Sequence, residues 1–129
     1  METRIYIKDL PCYQRKGSIS EKNIRVMEQH FYNLDLLTME GQKKEMETFI
    51  RSRGEELSMS TVNGDIILYN LLARFMKAKY PFLHSFRAIP EEVLVKKFKA
   101  WLLNHGYQIT RKHHMKSMGK NLQEDAAPI

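Results

Sequence analysis

The chain has a single cysteine, Cys12, in 129 residues. No internal disulfide can form, and a zinc site built on several thiolates is excluded. No apolar run approaches the roughly 20 residues that cross a bilayer. The start, Met1-Glu2-Thr3-Arg4, lacks the apolar stretch of a secretory signal. These absences predict a soluble chain of the cytoplasm with no membrane partner. Equally missing are a phosphate-cradling Gly-x-x-x-x-Gly-Lys, a Gly-x-Ser-x-Gly nucleophile turn and a zinc-binding His-Glu-x-x-His. Nothing therefore points to a self-contained active site, and neither a metal nor a cofactor is expected. Internal repeats and low-complexity tracts are also absent.

What is present is an ordinary globular composition, 43% hydrophobic and 28% charged, in a length suited to one domain. The net charge of +6 is unevenly placed. Residues 21–57 hold six basic and eight acidic side chains, whereas residues 74–120 hold eleven basic ones against Glu91 and Glu92 alone. A positive charge concentrated in one part of a chain is the footprint expected of a protein that meets an anionic partner, nucleic acid foremost.

The apolar spacing predicts a mainly helical chain. Arg4 to Lys8 alternates charged and apolar residues and suits a short strand stopped by Pro11. Ser18 and Glu21 have capping-box spacing and predict a short helix through about His30. Met46, Phe49 and Ile50 mark a helix from Met39 to Arg53, with Gly54 as its stop. After the hydroxyl-rich Ser58-Met59-Ser60-Thr61, the series Val62, Ile66, Tyr69, Leu72 and Met76 predicts a helix to about Lys79, ended by Pro81. Leu68, Leu71 and Phe75 widen its stripe, so this helix is expected to be central.

Residues 81–88 read as a connector. Pro90-Glu91-Glu92 then opens a helix to His105 on which Phe98, Trp101 and Leu102 face inward, closed by Gly106. Thr110 starts a last helix with Met115, Met118 and Leu122 inward and Lys112, Lys116 and Lys120 outward. The tail after Gln123 has no stop of its own and reads as an internal cut of a longer protein.

The basic surface is the main functional candidate. Lys96, Lys97, Lys99, Arg111, Lys112, Lys116 and Lys120 are placed to meet phosphates. The helix starts at Ser60-Thr61 and Thr110-Arg111 offer backbone N–H groups of the kind that bind phosphate. Any reading of bases would fall to Arg111, Gln108, Asn104 or the histidines. His84-Ser85-Phe86-Arg87 matches a bare His-x-x-Arg pattern, which recurs by chance and lacks the surrounding framework that catalysis needs. Adjacent helical side chains such as His113 and His114 point about 100° apart and do not share a metal ion. Tyr69, Phe75, Phe98 and Trp101 have the spacing of core residues, although base stacking is the rival use of such rings. Cys12 reads as an inert thiol.

From about residue 42 to residue 122 the order of these features resembles the core-binding domain of tyrosine recombinases, the phage-integrase family. The features are Ser60-Thr61 at a helix start; Tyr69, Leu72 and Phe75 along it; Pro90-Glu91-Glu92 before Phe98-Lys99-Ala100-Trp101-Leu102; His105-Gly106-Tyr107 as a turn; and Thr110-Arg111-Lys112 opening a basic helix. The resemblance implies an all-α, four-helix SAM-like bundle that clamps duplex DNA. Catalysis, and contact with other recombinase protomers on DNA, would then involve a C-terminal domain absent from this chain, so this piece is expected not to be an enzyme. On that reading residues 1–38 are an N-terminal arm or extension, 39–123 the DNA-binding core and 124–129 the tail. The alternative is a helical protein-interaction module for an acidic partner.

Overall fold

The computed structural model describes residues 3–107. These residues are mostly helical, with four helices and one small sheet among them. In chain order these are strand β1 (Arg4–Tyr6), helix α1 (Glu21–Met27), strand β2 (Phe31–Asn33), and helices α2 (Glu40–Glu56), α3 (Met59–Lys79) and α4 (Glu91–Asn104). Short 3-10 turns at Ile7–Asp9, Pro11–Gln14, Leu34–Leu36 and Phe86–Ala88 join them. All four helices fall where the residue pattern predicts one, α1 within the short helix expected through about His30, and the further helix expected from Thr110 lies outside the described residues.

α3 is the axis of the fold. Val62, Ile66, Tyr69, Leu72, Ala73 and Met76 are buried on one stripe, and Leu68 and Phe75 are buried beside it, so α3 packs on α2, α4 and the sheet together. One buried residue in that stripe is charged. Asp65 receives a two-pronged ion pair from Arg53 on α2, at 2.8 and 3.1 Å, which satisfies both carboxylate oxygens inside the protein. α4 contributes Leu94, Phe98 and Leu102, four residues apart, and the Phe98 and Trp101 rings lie 5.4 and 5.9 Å from that of Phe75.

The N-terminal segment packs on the helices. Ile5, Ile7, Leu10, Cys12, Tyr32, Leu34 and Leu37 are all buried in the same core as α3. β1 and β2 pair antiparallel with Ile5 opposite Tyr32, so both turn inward, while Arg4, Tyr6 and Phe31 turn outward. Asn70 of α3 holds the free edge of β2, accepting from the Asn33 N–H at 3.0 Å and donating to the Phe31 carbonyl at 2.9 Å. These core residues sit on strands and tight turns, so they show no helical period.

Three local expectations also change. The cap of α1 is Ser20, whose hydroxyl accepts from the Asn23 N–H, and not a Ser18 and Glu21 box. Gly54 does not stop α2. It lies buried inside the helix, where Leu10 packs so closely that a Cβ would meet its side chain at 3.0 Å. α2 ends two residues later, and Arg15 donates to the orphan carbonyls of Gly54 and Leu57 at 2.7 and 3.0 Å. Gly106 does close α4: its φ is +81°, and the N–H groups of Gly106 and Tyr107 donate back to Leu103 and Leu102.

Candidate nucleic-acid interface

α4 owes its register to the Phe98 and Leu102 contacts, and this register decides where its lysines point. With about 100° of turn per residue, Lys97 and Lys99 leave α4 about 100° to either side of Phe98, and Lys96 about 160° from it. They fan across the solvent side of α4 and do not form one stripe. Lys96 and Lys97 are exposed and Lys99 is half-buried. Toward the end of α3, Arg74, Lys77 and Lys79 are exposed as well.

Ser60 and Thr61 stand apart from these, about 20 Å along the α3 axis from Phe75. Both are exposed. Neither is the cap: Ser58 is, its hydroxyl accepting from the Thr61 N–H at 3.4 Å and lying 3.1 Å from the Thr61 hydroxyl. The N–H of Met59 donates to the Arg15 carbonyl and that of Val62 to the Ser58 carbonyl. Most donors of this helix start are therefore already used, and it is a weaker phosphate site than its hydroxyls suggest. Thr110, Arg111, Lys112, Lys116 and Lys120 lie outside the described residues, as do Gln108, His113 and His114.

The two regions of the chain treat their cations differently. Residues 3–73 contain ten basic and ten acidic side chains. Eight of the ten basic ones are engaged inside the chain. Arg25, Lys43, Arg51 and Arg53 form ion pairs, Arg4, Lys8 and Lys16 sit over the rings of Phe31, Tyr6 and Tyr13, and Arg15 caps α2. Residues 74–107 contain seven basic and two acidic side chains. Of those seven, Arg87 alone meets a carboxylate among the described residues, Glu45 at 3.9 Å. Arg74, Lys77, Lys79, Lys96, Lys97 and Lys99 meet no carboxylate among the described residues and can face an outside anion.

The other candidate chemistry does not assemble. His84 is exposed, Arg87 is turned toward Glu45, and Ser85 between them caps the Phe86–Ala88 turn through the Arg87 N–H. Tyr69, Phe75 and Phe98 are buried, so their rings serve the core, while Trp101 is half-buried and lies 4.4 Å from the His105 ring. Cys12 is buried, and desolvation pushes its thiol up from the ordinary 9.0, partly opposed by Arg15, which keeps it protonated and unreactive. Among the described residues no group of His, Cys, Asp and Glu is placed to hold a metal ion, and no helix is long and apolar enough to cross a membrane.

Residue patterns also missed a feature beside this surface. Gln42 and Glu45, on the face of α2 toward the connector, hold the backbone of residues 80–86. Asp65, a charge on an otherwise apolar stripe, was the one visible sign of such polar contacts between elements. No family model matches the chain, and neither do any of the curated proteins or the solved structures.

Proposed function

We propose that this chain is a helical DNA-binding unit that holds duplex DNA through the backbone phosphates. The observation that carries the reading is the contrast in cation use: eight of ten basic side chains are engaged within residues 3–73 and one of seven within residues 74–107. Unengaged cations on adjoining elements are what counterion release requires. Lys97 and Lys99, on opposite flanks of α4, suit a helix that lies along a groove with a phosphate backbone on each side.

The finer reading is a SAM-like core-binding domain of the tyrosine-recombinase type, working beside a catalytic domain on a separate part of the protein. Its support is the order of features along α3 and α4: Tyr69, Leu72 and Phe75 inward on the central helix, then Pro90-Glu91-Glu92 opening α4, with Phe98, Trp101 and Leu102 turned toward it. On this reading the chain itself supplies affinity and orientation, and no bond is made or broken on it.

Titration of a fluorescently labelled duplex with the full chain, at rising salt, tests the proposal. The expected result is binding whose log K falls linearly with log salt, with a slope of about −4 to −6 if most of the six available cations meet phosphates. Absence of binding at low salt overturns it. So does equal affinity for an acidic polypeptide such as polyglutamate, which would leave only a general anion surface.

A further inference from the structure

The first half of the connector between α3 and α4 is held to the N-terminal half of α2 and to Thr38 just before it. The Thr38 hydroxyl donates to the Pro81 carbonyl. The Gln42 amide donates to the carbonyls of Tyr80 and Leu83, at 3.4 and 2.5 Å. One Glu45 oxygen accepts from the Ser85 hydroxyl at 2.8 Å and the other from the Phe86 N–H at 3.1 Å. Gly41 has no side chain where the His84 carbonyl passes, and a Cβ there would run into that oxygen. Gln42 is 1% exposed, so a buried amide is committed to fixing this loop.

In the middle of the clamp stands Phe82, 83% exposed. The backbone on both sides of it is fixed, yet among the described residues its ring is left largely uncovered. Along the chain, residues 77–90 include Lys77, Lys79 and Arg87 and no acidic residue, and the carboxylate that reaches the loop, Glu45 of α2, is taken up by Ser85, the Phe86 N–H and Arg87. The loop is also tied to the inner face of α4 through shared packing. The Tyr80 ring lies 5.8 Å from that of Phe75, and Phe75 lies 5.4 Å from Phe98, which is flanked by Lys97 and Lys99.

We propose that Phe82 is an apolar wedge that enters the base stack of DNA held on this surface, an inference that rests on the DNA-binding reading above. Phosphate contacts position a duplex but do not unstack it. Unstacking needs an apolar side chain that projects fully, a mount stiff enough not to yield, and cations that draw the backbone against it. Phe82 has the first from its exposure, the second from Thr38, Gln42 and Glu45, and the third from Lys77 and Lys79. A pocket on a protein partner would also admit a phenylalanine, but flanking cations without a carboxylate among residues 77–90 favour a polyanion.

The test uses the full chain and duplexes carrying 2-aminopurine at successive positions, whose emission rises when the neighbouring base is unstacked. The wild type is expected to raise emission at one or two adjacent steps. Phe82→Ala should abolish that rise and weaken binding by about 5- to 100-fold. It should leave the salt slope unchanged, because no charge is lost. Phe82→Leu, still an apolar wedge, should keep most of the rise. If Phe82→Ala binds as tightly as wild type with the same emission, the wedge is overturned while the DNA-binding reading stands. If wild type binds no duplex at low salt, both fall. A change in melting temperature or oligomeric state in Phe82→Ala without DNA would mean that the ring is covered by this chain or a second copy, which also overturns the wedge.

Discussion

Residues 3–73 hold ten basic side chains in 71 residues and residues 74–107 seven in 34, and the two regions use them in opposite ways. In the first region cations are tied to carboxylates, aromatic rings and helix ends of the same chain; in the second they are left over. The difference teaches that net charge alone does not mark a binding surface. The deciding quantity is the number of charges that the fold does not itself occupy, and the two regions meet where Glu45 and Gln42 of the first hold the connector of the second.

The largest expected effect breaks the self-paired region. Asp65→Ala leaves Arg53 facing the interior without its carboxylate, and urea unfolding should show a loss of about 3–5 kcal/mol. The salt slope of DNA binding, measured where the variant remains folded, should not change. Next comes the seam. Gly41→Ala forces a methyl against the His84 carbonyl and should cost about 1–3 kcal/mol, with faster hydrogen exchange at the Phe86 N–H as the loop lifts from α2.

The double variant Lys96→Ala, Lys97→Ala addresses the other region. Stability should stay within about 0.5 kcal/mol, because both side chains are exposed and unpaired. DNA affinity at low salt should fall roughly tenfold, and the salt slope by about two. A variant that loses stability but not affinity would dissolve the contrast between the regions.

The smallest effect sharpens it from the buried side. Tyr32 has a buried hydroxyl with no hydrogen-bond partner, so Tyr32→Phe should be neutral or stabilising by less than about 1 kcal/mol at pH 7. Burial pushes both the Tyr32 phenol and the Cys12 thiol upward. The folded chain holds these protons more tightly than the unfolded one. Stability is thus insensitive to them below about pH 9 and falls as pH rises above that, first through Cys12 and then through Tyr32. Unfolding at pH 7 and pH 10.5 should show Tyr32→Phe losing less on the alkaline side than wild type.

Much of the helical part of this fold is legible in the residues. The predicted spans 61–79 and 90–105 differ from the observed α3 and α4 by one or two residues at their ends, because long stripes such as Val62, Ile66, Tyr69, Leu72 and Met76 leave little freedom of phase. Pro81 and Gly106 mark ends whose backbone geometry only those residue types favour. Legibility failed where a residue acts through a distant partner. Gly54 looks like a helix stop and is instead the place where Leu10 packs. Ser60 and Thr61 look like a phosphate-binding start, but Ser58 and the Arg15 carbonyl take up most of its donors. The buried series from Ile5 to Leu37 has no period, since it sits on two strands and three turns.

Two long amphipathic helices, their ends and the excess of cations after residue 73 can be read from residue order, because they depend on contacts within a few residues or on composition. That residues 4–37 belong to the core, that Phe98 fixes which way the α4 lysines face, and that Phe82 is held out by α2 came from packing between distant segments. Each of these joins residues more than about 20 apart along the chain, where side-chain period carries no information and shape and hydrogen bonding choose the partner.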